Sequence, residues 1–210
     1  MTQCFDHGQK EYGWDTIQQT GANNYILPNM LKLLPKEKKL TILDAGCGNG
    51  YNVGKLVSFG FVVTGIDISE DGILLARKVY PEGKFEIRSV YDDLSYLETN
   101  FDIVISSDVI EHLYFPNKFM QNMNSVLKPG GFLILSTPYH GWLKNTLISI
   151  TGQWDKHHTA NWEGGHIKFF SEDSLTELLS VNGFGNIKFM NAGRVPYLWK
   201  SMICKAQKIY

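Results

Sequence analysis

Short apolar segments alternate with longer stretches of helical spacing along most of this chain. Thr41–Asp44, Phe61–Ile66, Lys84–Arg88, Phe101–Ser106 and Phe132–Ser136 predict five strands. The centres of FDIVIS and FLILS are wholly apolar, as in parallel strands covered on both faces. Between them lie predicted helices. Tyr51–Phe59 is closed by Gly60. A helix N-capped by Ser69, with Glu70 and Asp71 in its first turn, runs through Tyr80. Phe115–Leu127 is stopped by Lys128-Pro129-Gly130-Gly131. Upstream, Tyr25, Ile26, Met30, Leu33 and Leu34 give Ala22–Leu34 a helical spacing that Pro35 ends. Downstream, Ser171 caps a helix through Val181, and Phe184–Met190 and Leu198–Ala206 predict two more strands. Such alternation predicts an α/β fold, a doubly wound and mostly parallel sheet with helices on both faces.

The alternation breaks twice. Residues 1–20 are polar with scattered aromatics (Phe5, Tyr12, Trp14) and read as an arm over a site or as a packing lid. Residues 139–168 are long, aromatic and histidine-rich, and a loop of that length inside a compact domain is usually functional. Within it, Trp142–Ile150 is apolar with one lysine. It reads as a packed cap helix or as a segment touching a membrane that holds a lipid substrate. The chain is expected to be one domain over 1–210, with an N-terminal arm and helix over 1–39 and a cap insertion over 139–168.

The 210 residues are 43% apolar and 20% charged, with 20 Lys and Arg against 21 Asp and Glu. That balance offers no basic excess for a phosphate backbone, so nucleic acid is not expected as a partner. Cys4, Cys47 and Cys204 lie far apart and form no zinc spacing. Residues 1–15 have no apolar core of the kind a signal peptide needs, and no run reaches the ~18 apolar residues that span a bilayer. The expected compartment is the cytoplasm.

The chemistry begins at Leu40–Gly50, a strand that ends on Asp44 and breaks into glycines at 46, 48 and 50 before a helix. Glycines let the chain turn tightly and a ligand lie against the backbone, and the helix start offers free N–H groups. Asp67 ends the next strand, where an acid can take both hydroxyls of a ribose; it can also cap a helix, a role for which Ser69 competes. A dinucleotide site calls for Gly-x-Gly-x-x-Gly, but the spacing here is Gly-x-Gly-x-Gly and position 51 is Tyr51. An acid as close as Asp44 repels a pyrophosphate and suits an ammonium. The pattern favours a cationic aminoacyl nucleoside.

Leu43-Asp44-Ala45-Gly46-Cys47-Gly48-Asn49-Gly50 resembles the first motif of class I S-adenosylmethionine-dependent methyltransferases. Gly65-Ile66-Asp67 is similar to their ribose acid. Ser106–Leu113 is similar to their segment after the fourth strand, and Leu127–Gly131 to their turn before the fifth. The likeness runs in order from about Leu40 to Pro138 and extends to the group that includes ubiquinone-biosynthesis and sugar O-methyltransferases. It implies a Rossmann-like sheet of seven strands, mostly parallel, with a C-terminal antiparallel strand and a cap insertion after strand 5. It also implies S-adenosylmethionine as cofactor, with S-adenosylhomocysteine as product. Asp44, Ala45, Gly46, Cys47, Gly48 and Gly50 would lie against the methionine moiety. Asp67 would hold the ribose and Ile68 cover the adenine. Val90 and Tyr91 would line the adenine edge, and Ser107 and Asp108 lie near the sulfonium. Many relatives carry an acid where this chain has Ser89; Asp92 is the nearby substitute.

A sulfonium methyl is already activated, so the protein mainly orients the reactants and excludes water. An alcohol or phenol acceptor must also lose a proton, which suits histidine. The candidates are His166, His112 and His140, each of which can instead be a structural hydrogen-bonding residue. Asp108, Glu111 and His112 form Asp-x-x-Glu-His, which can hold a metal ion, as a similar segment is implicated in doing in catechol-directed relatives, or simply cap the next helix; no metal is expected. The expected acceptor is a small molecule with a sugar, quinone or natural-product hydroxyl. A protein or RNA methyltransferase and a catalytically idle cofactor-binding partner subunit are the alternatives.

Overall fold

In a computed structural model the described residues are 21–37, 39–97, 100–158, 161–162 and 164–209. The expectation for the arm over 1–20 lies outside them. Seven strands form one sheet: β1 (Thr41–Ala45), β2 (Val62–Asp67), β3 (Lys84–Ile87), β4 (Phe101–Ser107), β5 (Leu127–Pro138), β6 (Phe184–Ala192) and β7 (Ser201–Lys208). Their order is β3-β2-β1-β4-β5-β7-β6. β1 pairs in parallel with β2 and β4, and β4 with β5, while β7 runs antiparallel to both β5 and β6. The chain leaves β1 in one direction and returns on its other side, so the switch in strand order lies between β1 and β4. A crevice outside the carboxyl ends of these strands is where such sheets bind ligands.

Helices cover both faces. α1 (Asn23–Leu33), α2 (Tyr51–Ser58) and α3 (Glu70–Val79) bury Ile26, Met30, Val53, Leu56, Ile73 and Ala76 in one core cluster. α4 (Pro116–Val126) and α7 (Glu172–Val181) bury Phe119, Met120, Met123, Val126, Leu175 and Leu179 in the other. Pro116 suits the first turn of α4, where its missing N–H costs nothing. Ser171 caps α7 by accepting from Ser174 N at 3.2 Å.

The structure differs from the sequence reading in three places. Lys128–Gly131, read as a turn before the fifth strand, lies within β5. Its breaking power survives as a register shift between the pairs Phe101–Leu127 and Ile103–Phe132, with Gly130 at φ 74°. The last strand starts at Ser201 rather than Leu198. And 139–168 is not one long loop, because it contains α5 (Trp142–Ile150) and α6 (Trp154–His158). α5 does not pack as its pattern suggests. Lys144 is buried, while Trp142 and Ile150 are each 75% exposed among the described residues. No helix of the described residues is long and apolar enough to cross a membrane.

Candidate functional site

The loop after β1 is tied to the end of β2. Gly46 N and Cys47 N both donate to Ile66 O, at 2.8 and 3.0 Å, and Gly48 N donates to Asp67 Oδ2 at 2.8 Å. Gly46, at φ 86°, has no room for a side chain, since a Cβ there would meet Val109 Cγ2 at 2.4 Å. The glycines therefore hold the chain in left-handed turns and let β4's following segment close over the loop. Asp67 Oδ1 accepts from Ser69 N at 2.9 Å, and Ser69 Oγ itself caps α3 by accepting from Gly72 N at 3.1 Å. The cap role falls to Ser69, and Asp67 braces the glycine loop.

Asp44 is fully buried, and neither carboxylate oxygen has a hydrogen-bond partner among the described residues. Burial, and secondarily the charge of Asp67, push it up from 3.8 to about 7. A buried acid with no donor is costly. This arrangement calls for a cationic or multiply donating ligand at the turn.

Of the residues expected to line an adenine, Ile68 is half-buried, but Val90 and Tyr91 have their side chains in the core, at 5% and 3% exposure. The Tyr91 hydroxyl accepts from Phe115 N at 3.0 Å. Ser89 N donates to Asp92 Oδ2 at 3.0 Å, so the acid of this segment folds back on its own turn.

Beyond β4, Asp108 takes a left-handed φ of 52°. Ser136 Oγ of β5 donates to its Oδ1 at 2.7 Å, and its N–H donates to Ser136 O at 3.2 Å. Burial raises Asp108 to about 6 against the pull of the Ser136 hydroxyl. Ser107 Oγ lies 3.4 Å from Ser136 Oγ. Glu111 is fully buried and is pushed well above the carboxylate range by that burial and by the charge of Asp108. Its carbonyl accepts from Ile167 N and Lys168 N at 2.8 and 3.0 Å, which pins the end of the cap to the loop after β4.

That pinning brings His166 to His112, with ring centroids 4.8 Å apart and nearly perpendicular. His112 Nδ1 is 3.3 Å from Gly165 O, and its Nε2 is 4.0 Å from Glu111 Oε1. Burial lowers both rings, His166 to about 4 with a further push from His112. Among the described residues, Glu111, His112 and His166 can bring ligand atoms within 4.8 Å of one another. This grouping differs from the Asp108, Glu111 and His112 set read from spacing. Asp108 is engaged with Ser136, and the third partner is His166, which no local motif could join to the other two.

His140 sits apart from that pair. It lies with Phe169 (5.1 Å between centroids), His158 (5.8 Å) and His157 (6.2 Å). Lys144, buried beside them, donates to Tyr139 O at 2.7 Å. The sequence reading missed Lys144 as a site residue. Its signal was a lone cation in an otherwise apolar stretch. Ser136, at the end of the apolar run Phe132–Leu135, was equally unmarked.

A family model described as a methyltransferase domain matches residues 19–188. A ubiquinone biosynthesis O-methyltransferase from Hydrogenovibrio crunogenus is 32% identical over 144 residues, covering 65% of this chain and 59% of that protein. Another from Bradyrhizobium sp. is 31% identical over 150 residues, covering 68% and 57%. The chain thus spans about three fifths of the length of these curated relatives. Among solved structures, magnesium protoporphyrin IX methyltransferase from Synechocystis PCC 6803, which has bound SAH, superposes with a TM-score of 0.63 at 22% identity, covering 87% of this chain and 80% of that one. The family match over most of the chain places this protein in the S-adenosylmethionine-dependent methyltransferase family.

Proposed function

We propose that this chain moves the methyl group of S-adenosylmethionine to a hydroxyl of a small molecule bound beneath the 139–168 cap, with the His112–His166 pair receiving the proton. The observation that carries this reading is that pair: two rings held neutral by burial, 4.8 Å apart, fixed by the cap's attachment to Glu111 just beyond β4.

The loop residues fit the cofactor. Asp44, buried and unpaired, suits the ammonium of the methionine part, and the exchange of one buried charge for an ion pair favours binding. A carboxylate can accept about four hydrogen bonds, so Asp67 can hold ribose hydroxyls while bracing Gly48 N and Ser69 N. Gly46, whose missing Cβ leaves its space to Val109, fixes the path of the loop. When bound, S-adenosylmethionine supplies a methyl already activated on a sulfonium.

This chain's remaining work is orientation and proton removal. Ser107 and Asp108, held by Ser136, line the approach from the β4 side. His166 accepts the hydroxyl proton as oxygen attacks, and His112, kept in place by Gly165 O, packs edge-on against its ring. Proton transfer of this kind contributes about 10²–10⁴ in rate. The ubiquinone-directed relatives act on an oxygen by name, which supports an oxygen acceptor here.

Calorimetry with S-adenosylhomocysteine, followed by turnover against a panel of phenols, catechols and sugars, tests the reading. No binding of S-adenosylhomocysteine at high micromolar concentration would sink it. Tight binding with no turnover on any acceptor would point instead to an idle cofactor-binding subunit.

A further inference from the structure

We propose that the N-terminal end of α5, with Lys144, Arg194, His140 and His157, binds an oxyanion group, a phosphate or a carboxylate, carried by the methyl acceptor. This rests on the reading that the 139–168 cap covers an acceptor.

Four observations converge. First, Lys144 stands in the first turn of α5, where the free N–H groups and the helix dipole already favour negative charge, so a cation there opposes the dipole. Second, it is buried at 5% exposure, although the same helix leaves Trp142 and Ile150 exposed. A helix arranged for stability alone would turn its apolar face inward and its lysine out. Third, among the described residues neither Lys144 nor Arg194 forms an ion pair with an acid. The one hydrogen bond of Lys144 goes to the neutral Tyr139 O, which leaves two of its three donors for another acceptor. Fourth, His140, only 9% exposed and just ahead of α5, has Nε2 buried with no partner among the described residues; its Nδ1 faces Asn145 Oδ1 at 3.4 Å, so Nε2 is the atom that an oxyanion would draw into protonation.

Arg194, exposed on the loop between β6 and β7, takes a left-handed conformation (φ 65°) that is uncommon for a side chain of its size. Its charge reaches both Lys144 and His157. Burial first and then Arg194 pull Lys144 down to about 8, and burial followed by Lys144 pull His157 down to about 4. Two cations and a helix N-terminus repelling one another around neutral imidazoles are relieved by an anion and worsened by a metal ion. That sign favours an oxyanion over a cation for these histidines. The cluster reaches the proposed base as well, since His158, beside His140, and His157 and Lys144 all bear on His166. An anionic group held here leaves the rest of the acceptor facing the His112–His166 pair.

The test uses the full chain saturated with S-adenosylhomocysteine. Histidine side-chain nitrogens are followed by NMR during titration with sodium phosphate or sodium acetate, against sodium chloride at matched ionic strength. The expected result is a saturable shift of His140 and His157 with phosphate or acetate and not with chloride. Lys144→Gln and Arg194→Gln should each weaken it by roughly tenfold, and Lys144→Arg should retain it. A response to only one of the two oxyanions assigns the class of the acceptor group. Calorimetry of S-adenosylhomocysteine on the same samples separates the two readings. If the cofactor product binds and no oxyanion shifts these histidines, or if Lys144→Gln responds like the parent, the anion site is wrong and the methyltransferase reading stands. If it does not bind, the methyltransferase reading fails, and an oxyanion response then overturns the acceptor role given to this site.

Discussion

Replacing Asp44 by asparagine should strengthen the empty protein while disabling it. Asp44 lies at 0% exposure with both oxygens unpaired among the described residues, and burial with the neighbouring Asp67 charge lifts it from 3.8 to about 7. At 1.36 kcal/mol per pH unit, that rise corresponds to about 4 kcal/mol of folding stability forfeited once the group is ionised. The sign follows from proton counting. The folded state holds a proton on Asp44 that the unfolded state has released between about pH 4 and pH 7. Its stability is therefore highest below 3.8, falls through that window and stays low above 7. Asparagine has the shape of the protonated acid and never ionises. Urea unfolding of the cofactor-free protein should show Asp44→Asn more stable than the parent by as much as about 4 kcal/mol at pH 8, with the gap closing toward pH 4. Calorimetry should show the reverse for the ligand. Affinity for S-adenosylhomocysteine should rise from pH 6 to pH 8 in the parent, as Asp44 ionises to meet the ammonium, and be weak and pH-independent in the variant. A stability gain that does not change with pH, or none at pH 8, would refute the argument, because the buried charge would then not be the source of the cost.

Four further substitutions probe other parts of the site. Asp67→Ala removes the acceptor for Gly48 N and Ser69 N as well as the proposed ribose contact. It should cost about 1–3 kcal/mol of stability by urea unfolding and at least tenfold in S-adenosylhomocysteine affinity; retained affinity would mean the ribose lies elsewhere. Gly46→Ala places a Cβ 2.4 Å from Val109 Cγ2 at a left-handed φ of 86°, so a fall in melting temperature together with lost cofactor binding is expected, and full binding would show that the loop has slack. His166→Ala and His112→Ala should lower kcat by about 10²–10⁴ on a hydroxyl acceptor while calorimetry finds cofactor affinity unchanged. Turnover that survives both changes would place the base elsewhere or make it unnecessary.

The proposed cofactor loop was marked in the sequence because its residues are local. Asp44, the glycines and Asp67 fall within one strand-turn-helix-strand stretch, and each strand is short enough for a continuous apolar run to mark it. The mostly parallel sheet followed from the same alternation, and the reversed C-terminal strand from the family resemblance. What could not be read depends on distant parts of the chain. His112 and His166 meet only because the carbonyl of Glu111 accepts from Ile167 N and Lys168 N, a backbone contact that no side-chain pattern encodes. Ser136 reaches Asp108 through strand register. Val90 and Tyr91 stand where the motif puts them, yet their side chains belong to the core, because the motif fixes a position in the chain and packing decides which way a side chain turns.

α5 shows where pattern reading reverses. Periodicity assigns the apolar residues of WLKNTLISI to the inside and Lys144 to solvent, on the premise that what lies beneath a helix is apolar. Here the ground beneath it is polar. Tyr139 O accepts from Lys144, His140 O accepts from Asn145 Nδ2 at 3.3 Å, and the rings of His140, His157 and His158 fill the space behind. Each bond repays part of the cost of burying a charged side chain, and together they hold the helix with its lysine inward. The inner surface of the cap is thus cationic and aromatic rather than greasy. Under the proposed function, a molecule seated between it and the carboxyl ends of β4 and β5 would present polar or negatively charged groups to the cap.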